Sequence, residues 1–359
     1  MTDIETMAEG LIDELAEMFS VEESLRRIPQ GLEWGRPGGR QRLWWGDLQK
    51  GNESAPDLIR VRILTEMAGL PSDPGEWPPE LCEEMVEALD LTLWGGLLPA
   101  EEMDGCLCIG AAITVHPETI GTMPRMLFMA MVSHAEFREI LWRSELRHQF
   151  AQYPGAETAG DMTELGAALE HLLLGAGQID HEGIEEDMGL LQGILQNYPC
   201  LLCNGDEKEL VADFPFGDET SQLRIMTEDE HSLFGPSLSM TLLLPISGSG
   251  TAESLIKSAM TRNSLEQNTH EVPSCMGSWS VSTDCEAFLS YVVWVPHAMF
   301  APRILFNMGL ALAARARYCC ETITGMSIQE SYPLGQQEII RRIEKFMEDA
   351  QGNKQLDTN

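Results

Sequence analysis

Apolar residues at Ile4, Met7, Leu11, Leu15 and Met18 recur every three or four positions with acidic residues between them, which predicts an amphipathic helix. Thr2 and Glu5 suit a capping box ahead of it. After a Gly- and Arg-rich stretch from Gly31 to Arg42 the period falls to two. Leu43-Trp44-Trp45 and the run Leu58 to Leu64, where Ile59, Val61 and Ile63 alternate with Arg60 and Arg62, read as antiparallel strands. A Pro-rich, acidic loop from Pro71 to Pro79 leads into a helix from about Glu80 to Leu93, which Gly95-Gly96 ends. Short strands are expected at Cys106 to Ile109 and Ala111 to Val115. A long helix then runs from Pro124, a residue suited to a first helical turn, to about Arg147.

The later half repeats this order. A helix through Met188 to Leu195 precedes strands near Cys200 to Cys203, Leu210 to Phe214, Leu223 to Met226 and Leu238 to Leu244. Helix Ala252 to Leu265, strands Trp279 to Val281 and Phe288 to Val295, and an Ala-rich helix from Pro302 to about Thr322 follow. The segments Met123-Pro124-Arg125-Met126-Leu127-Phe128 and Ala301-Pro302-Arg303-Ile304-Leu305-Phe306 lie 178 residues apart and share Pro, Arg, Leu and Phe, with Ala135 and Ala313 in register beyond them. Upstream, Leu70-Pro71 and Leu244-Pro245 each close an apolar run, and Leu81, Val86 and Leu91 correspond to Leu255, Met260 and Leu265. One fold is written twice. Such a fusion replaces a homodimer by a covalent pseudo-dimer, whose working parts are surfaces. Leu81, Met85, Trp94, Leu255 and Met260 are the candidates for packing between the repeats.

Asp161 and Glu164 form a capping-box pattern before Leu165, Ala168, Leu169, Leu172 and Leu173, a helix between the halves. A last helix, Gln336 to Ala350, carries Ile339, Ile340, Ile343 and Phe346 on one side and has no counterpart in the first half. The division is therefore a first repeat over 1–150, a linker with a helix over 151–182, a second repeat over 183–325, and a C-terminal helix with a polar tail over 326–359.

Charge changes the picture most. Among 359 residues, 57 Asp and Glu against 23 Lys and Arg leave a formal net charge of −34. Phosphate backbones need clustered Lys and Arg to displace their counterions, so direct nucleic-acid binding is not expected, and basic partners are favoured. The apolar runs Met126 to Val132 and Ile304 to Ala314 are too short to span a membrane. The opening residues lack the basic and apolar regions of a secretory signal, and nine scattered cysteines suit a reducing compartment, so a cytoplasmic location is expected.

With the elements placed, Gly189 to Cys320 resembles the type III secretion chaperone-like fold, a superfamily that includes class I secretion chaperones and the YbjN-like proteins. The residues carrying the resemblance are the opening helix with Leu190, Leu191 and Leu195, the hairpin-rich middle closing on Leu243-Leu244-Pro245, and the helix Leu255 to Leu265. To these add the Trp279 to Val295 hairpin and the closing helix from Pro302 through Ala313-Ala314-Arg315-Ala316-Arg317. The first half matches best at Leu89-Asp90-Leu91-Thr92-Leu93-Trp94-Gly95-Gly96 before Leu107-Cys108. Familiar members are single domains that pair as homodimers, whereas this chain carries two copies. The resemblance implies an α+β domain that grips an extended segment of a partner protein, without catalysis.

Candidate chemistry is sparse. Cys200-Leu201-Leu202-Cys203 is a C-x-x-C, which beside a βαβ unit would suggest redox work and with a second pair would suggest zinc. No second C-x-x-C is present, and the intervening leucines read as a buried strand; Cys106, Cys108, Cys319 and Cys320 read as buried thiols. No G-x-S-x-G or G-x-x-x-x-G-K occurs, His181-Glu182 is not followed by a second histidine, and His134 and His297 read as structural. No catalytic, cofactor or metal residue is assigned. Trp34, Trp44 and Trp45, interleaved with Arg40 and Arg42, have the composition of an interaction hot spot and are the candidate partner-binding residues. Adjacent tryptophans on a strand face opposite sides, so one of Trp44 and Trp45 needs a cover from a helix of its own domain, the other repeat, or a partner. The methionines concentrated at Met123, Met126, Met129 and Met131 read as core filling.

The expectation is thus an α+β protein of two tandem antiparallel-sheet repeats packed as a pseudo-dimer with an extra C-terminal helix. The function read from it is non-catalytic binding of a partner protein, as a chaperone-like protein or adaptor. The alternatives are a scaffold subunit of a larger assembly and a divergent thiol or zinc enzyme.

Overall fold

A computed structural model describes residues 3–19, 24–36, 39–49, 57–67, 69–89, 94–117, 120–143, 180–197, 200–231, 234–245, 251–268, 277–282 and 288–341. The first half runs α1 (Asp3–Met18), β1 (Leu25–Ile28), β2 (Gly31–Arg36), β3 (Gly39–Gln49), β4 (Leu58–Glu66), α2 (Pro79–Leu89), β5 (Gly96–Ala100), β6 (Cys106–Val115) and α3 (Met123–Arg143). The second runs α4 (His181–Leu195), β7 (Leu202–Gly205), β8 (Glu209–Phe216), β9 (Glu219–His231), β10 (Gly235–Pro245), α5 (Ala252–Asn268), β11 (Ser278–Ser282), β12 (Phe288–Pro296) and α6 (Ile304–Cys319). A further helix, α7, occupies 328–341.

Each half folds one six-stranded antiparallel sheet. Strand order is β1-β2-β3-β4-β6-β5 in the first and β7-β8-β9-β10-β12-β11 in the second, so the duplication is one of topology as well as of sequence. The protein is α+β, with two tandem copies packed as a pseudo-dimer and a C-terminal helix added. Alternation dictates the faces. Ile59, Val61 and Ile63 of β4 turn into the core beneath α1 and α3, and Leu238, Met240, Leu242 and Leu244 of β10 turn beneath α4 and α6. The register sets Ile63 opposite Ala111 and Leu242 opposite Tyr291.

The halves interlock rather than touch. β5 and β11, the last strands of their sheets, meet at the junction, where α5 packs against both and also against α2. The first core admits Phe234 of the second half and has Trp294, Met299, Ile304 and Met308 packed against it. A separate cluster, with Leu81, Met85, Leu97 and Phe137 from one half and Leu255, Ile256, Met260 and Val281 from the other, belongs to neither.

Several elements differ from the sequence reading. The Gly- and Arg-rich stretch forms β2 and the start of β3, because Leu32 and Trp34 alternate inward with Glu33 between them. The expected pair of short strands at Cys106 to Val115 is the single strand β6, and its partner is β5. Gly95-Gly96, read as a helix stop, serves close approach: a Cβ on Gly95 would lie 2.4 Å from His134 Nε2, and one on Gly96 2.2 Å from Asn263 Nδ2. α7 opens well before Gln336 despite Pro333, since Ser327 and Glu330 form a capping box: Ser327 N donates to Glu330 Oε2 (2.8 Å) and Glu330 N to Ser327 Oγ (3.3 Å). The capping box at Thr2, the helix at Asp161 to Leu173 and the tail after Gly352 lie outside the described residues.

Candidate partner-binding surface

The tryptophan and arginine cluster is largely engaged within its own half. Trp34 and Trp45 are buried among Leu32, Leu43 and Ile59 of the first core, because their positions on β2 and β3 point under α1. Trp45 Nε1 donates to Glu9 Oε1 of α1 at 3.0 Å, so Trp45 is the one of the pair that fills the core of its own repeat. Trp44 faces the opposite side, as the pleat requires, and packs half-buried against Leu64, Leu98, Ala100, Met103 and Cys108. Arg40 pairs with Glu66 and, at 2.8 Å, with Asp104. Arg42 pairs with Glu33 at 2.5 Å and donates to the Glu102 carbonyl. These acids belong to the same half. Burial pushes the Glu33 carboxyl upward, but Arg42 and Arg26 outweigh it and hold the group below its ordinary value. Buried rings and satisfied guanidinium groups leave little for a partner.

The candidates for packing between repeats come together. Leu81, Met85, Leu255 and Met260 share one cluster, and Trp94 Nε1 donates to the Trp294 carbonyl at 2.5 Å. The methionines Met123, Met126, Met129 and Met131 are buried in the first core.

Polar residues that the periodicity did not single out complete the junction. Asn263 of α5 donates through Nδ2 to the carbonyls of Leu97 on β5 and Trp279 on β11, both at 3.1 Å, and accepts from Trp279 N at 2.9 Å. One side chain thus satisfies two sheet edges at once, which would otherwise leave unpaired backbone groups. One turn on, Glu266 accepts from Arg315 Nε (2.9 Å) and Nη2 (2.7 Å) and from Trp279 Nε1 (2.7 Å), while its backbone carbonyl accepts from Arg60 of the first sheet. Arg315 is fully buried and lies 3.8 Å from the centroid of the Tyr291 ring. A readable signal for Arg315 existed: it falls beside Leu312, Ala316 and Cys319 on the apolar face of α6, where an arginine requires a partner.

The outer side of α5 is the surface this junction presents. Lys257, Thr261 and Leu265 form a ridge at successive turns. Leu265, which the sequence repeat aligns with Leu91, is 60% exposed. On one side of the ridge lies a groove of about 400 Å³ lined by Arg262, Glu266, Trp279, Tyr318, Cys319 and Ile323. On the other lies a groove of about 610 Å³ lined by Pro74, Pro99, Met260, Ser264 and Asn268. Both hold Thr261 and Leu265 in their walls.

The thiols differ in burial: Cys82, Cys108, Cys319 and Cys320 are buried, whereas Cys106, read as a buried thiol, is partly exposed with Cys200 and Cys203, and Leu202, read as part of a buried strand, is 40% exposed at the start of the short strand β7. His134 is buried with Nε2 2.8 Å from the Trp94 carbonyl, and burial lowers its pKa to about 4. Burial pushes the Cys319 thiol up to about 12 and raises Cys108 as well. Cys200 lies within hydrogen-bonding distance of the carbonyls of Leu202 and Asp213, at 2.8 and 3.2 Å; a hydrogen bond with the free thiol of Cys203, together with partial burial, shifts Cys200 upward, and the same hydrogen bond holds Cys203 below its ordinary value. Among the described residues no group of three or more His, Cys, Asp or Glu is placed to hold a metal ion, and no helix is long and apolar enough to cross a membrane. Compared with protein-family models, with curated proteins and with solved structures, the chain finds no match.

Proposed function

We propose that this chain is a non-catalytic protein-binding module, a chaperone-like or adaptor protein that holds a segment of a partner on a surface fixed by the fusion of its two repeats. The observation that carries the reading is the α5 ridge: an exposed leucine between two grooves, on a helix pinned from behind by Asn263 and Glu266 to both sheets. A rigid helix with exposed apolar anchors loses little entropy on binding, which is what a recognition surface needs. The twofold order of helix, four strands, helix, two strands and helix supports the resemblance to the type III secretion chaperone-like superfamily. The free cysteines and the acidic composition support action in the cytoplasm on a partner that approaches through basic or extended regions.

The test is the mass of the protein gently purified from its host, with its composition, in low and in moderate salt. A stoichiometric protein partner is expected, and its retention should fall when Leu265 is replaced by Asp. A monodisperse monomer in both salts would overturn the reading.

A further inference from the structure

The groove between α5 and the end of α6 combines arginine, tryptophan and exposed apolar side chains. Three arginines, Arg60, Arg262 and Arg315, gather around one carboxylate residue, Glu266, in a chain whose formal charge is −34. Arg315 and the Trp279 indole take up the carboxylate of Glu266 through three hydrogen bonds. Arg262 is left over. Its guanidinium lies 5.3 Å from the centroid of the Trp279 ring, half-buried, and makes no hydrogen bond or ion pair among the described residues. The other cation of the groove, Lys257, is engaged by Asp73 at 3.0 Å and Glu253 at 2.9 Å.

The remaining lining is apolar or already satisfied. Leu265 and Ile323, 60% and 41% exposed, stand on the two walls. Ser258, Thr261 and Thr322 spend their hydroxyls on carbonyls of their own helices at 2.8–2.9 Å. A segment laid over Leu265 therefore meets an apolar slot and a guanidinium held over an indole with its donors unspent. A planar guanidinium in an apolar surrounding is best matched by a carboxylate, which takes two of its donors at once. Screening limits the acidic remainder of the surface to about 8 Å at physiological salt, so the contact charge decides the selection.

We propose that this groove seats an apolar side chain of the partner segment with an adjoining carboxylate on Arg262. The inference rests on the protein-binding reading and names the chemistry its surface selects. General attraction of basic proteins to the acidic surface governs approach; Arg262 governs what is held.

The probes are three fluorescein-labelled peptides identical except for a central Leu-Glu-Leu, Leu-Gln-Leu or Leu-Lys-Leu, titrated by fluorescence anisotropy into the full chain. The glutamate peptide should bind about tenfold more tightly than the lysine peptide, with glutamine between, as a charge-assisted hydrogen bond in a groove predicts. Arg262→Glu should reverse the order, and Leu265→Asp should weaken all three; thermal melts establish that both variants fold. Equal affinities, or an order unmoved by Arg262→Glu, would overturn the proposal. Binding of no peptide by a protein that does carry a stoichiometric partner overturns the groove assignment alone, whereas absence of any partner removes the reading beneath it. A concentration-dependent dimer abolished by Leu265→Asp would assign the groove to a second copy and overturn the peptide.

Discussion

α3 and α6 begin from the same Pro-Arg-x-Leu-Phe motif and close equivalent sheets, yet they live in different surroundings. Every residue from Met126 to Ala135 of α3 is buried, so this stretch of the helix is covered all round. α6 is buried on one face only: Leu305, Leu312, Ala313 and Ala316 point inward, while Leu310, Ala311 and Ala314 are half-exposed. Leu127 and Leu305 are buried in both copies, but Phe128 is buried where Phe306 is half-buried. The first turn differs too. Pro124 and Arg125 lie within α3, whereas Arg303 sits left-handed at φ 74° just ahead of α6 and pairs with Glu186 and Asp187 of α4. Gly309 lets α6 approach α4, since a Cβ there would lie 2.3 Å from Leu191 Cδ2; its counterpart Met131 fills core instead. The polar devices diverge in kind. α3 buries neutral His134, in reach of Thr65, which accepts from Gln41, and α6 buries charged Arg315 on Glu266. A shared motif secures topology, and neighbours decide how much of each helix a protein can keep for other uses.

The largest test of that contrast removes the charge pair. Glu266→Ala should cost about 3–5 kcal/mol in chemical denaturation, because it removes two charge-assisted hydrogen bonds from a fully buried guanidinium. A loss below about 1 kcal/mol would mean that Arg315 finds solvent or another acceptor. Next, the all-round burial of Met126 to Ala135 predicts that Leu127→Ala costs about 2–5 kcal/mol, while Leu310→Ala on the half-exposed face of α6 costs less than about 1 kcal/mol. Similar losses at both would erase the distinction between the helices.

The smallest effect is in pH. A folded-state pKa of about 4 for His134, below the ordinary value of 6.5, means that the unfolded chain binds more protons between those values. Stability from this group is therefore complete above about pH 6.5 and is lost as the pH falls toward 4, by up to about 3 kcal/mol. His134→Gln should flatten that part of the stability profile relative to the parent. An unchanged slope would show that other groups set it.

Much of the fold was legible. Alternation at Ile59, Val61 and Ile63, the helical period of α1 and the repeated Pro-Arg-x-Leu-Phe motif report backbone geometry, which local spacing records directly. β2 was not legible, because Gly31, Gly35 and the arginines around Trp34 mask its alternation. Gly95-Gly96 carried an ambiguous signal, since a glycine that stops a helix and one that admits a neighbouring side chain look alike in one dimension. The candidate site was legible only in part: Leu255 and Met260 belong to the apolar stripe of α5, but Leu265 continues that stripe and is nevertheless exposed.

What the sequence determined by itself was the order of elements, their duplication, the acidic character of the chain and the inward faces of the central strands, all properties of spacing and composition. Tertiary structure alone decided that Trp34 and Trp45 serve the core, that Asn263 joins two sheet edges, and that Glu266 is spent on Arg315 while Arg262 is not. Those outcomes depend on which groups from distant segments arrive within hydrogen-bonding distance, and no local period encodes that distance.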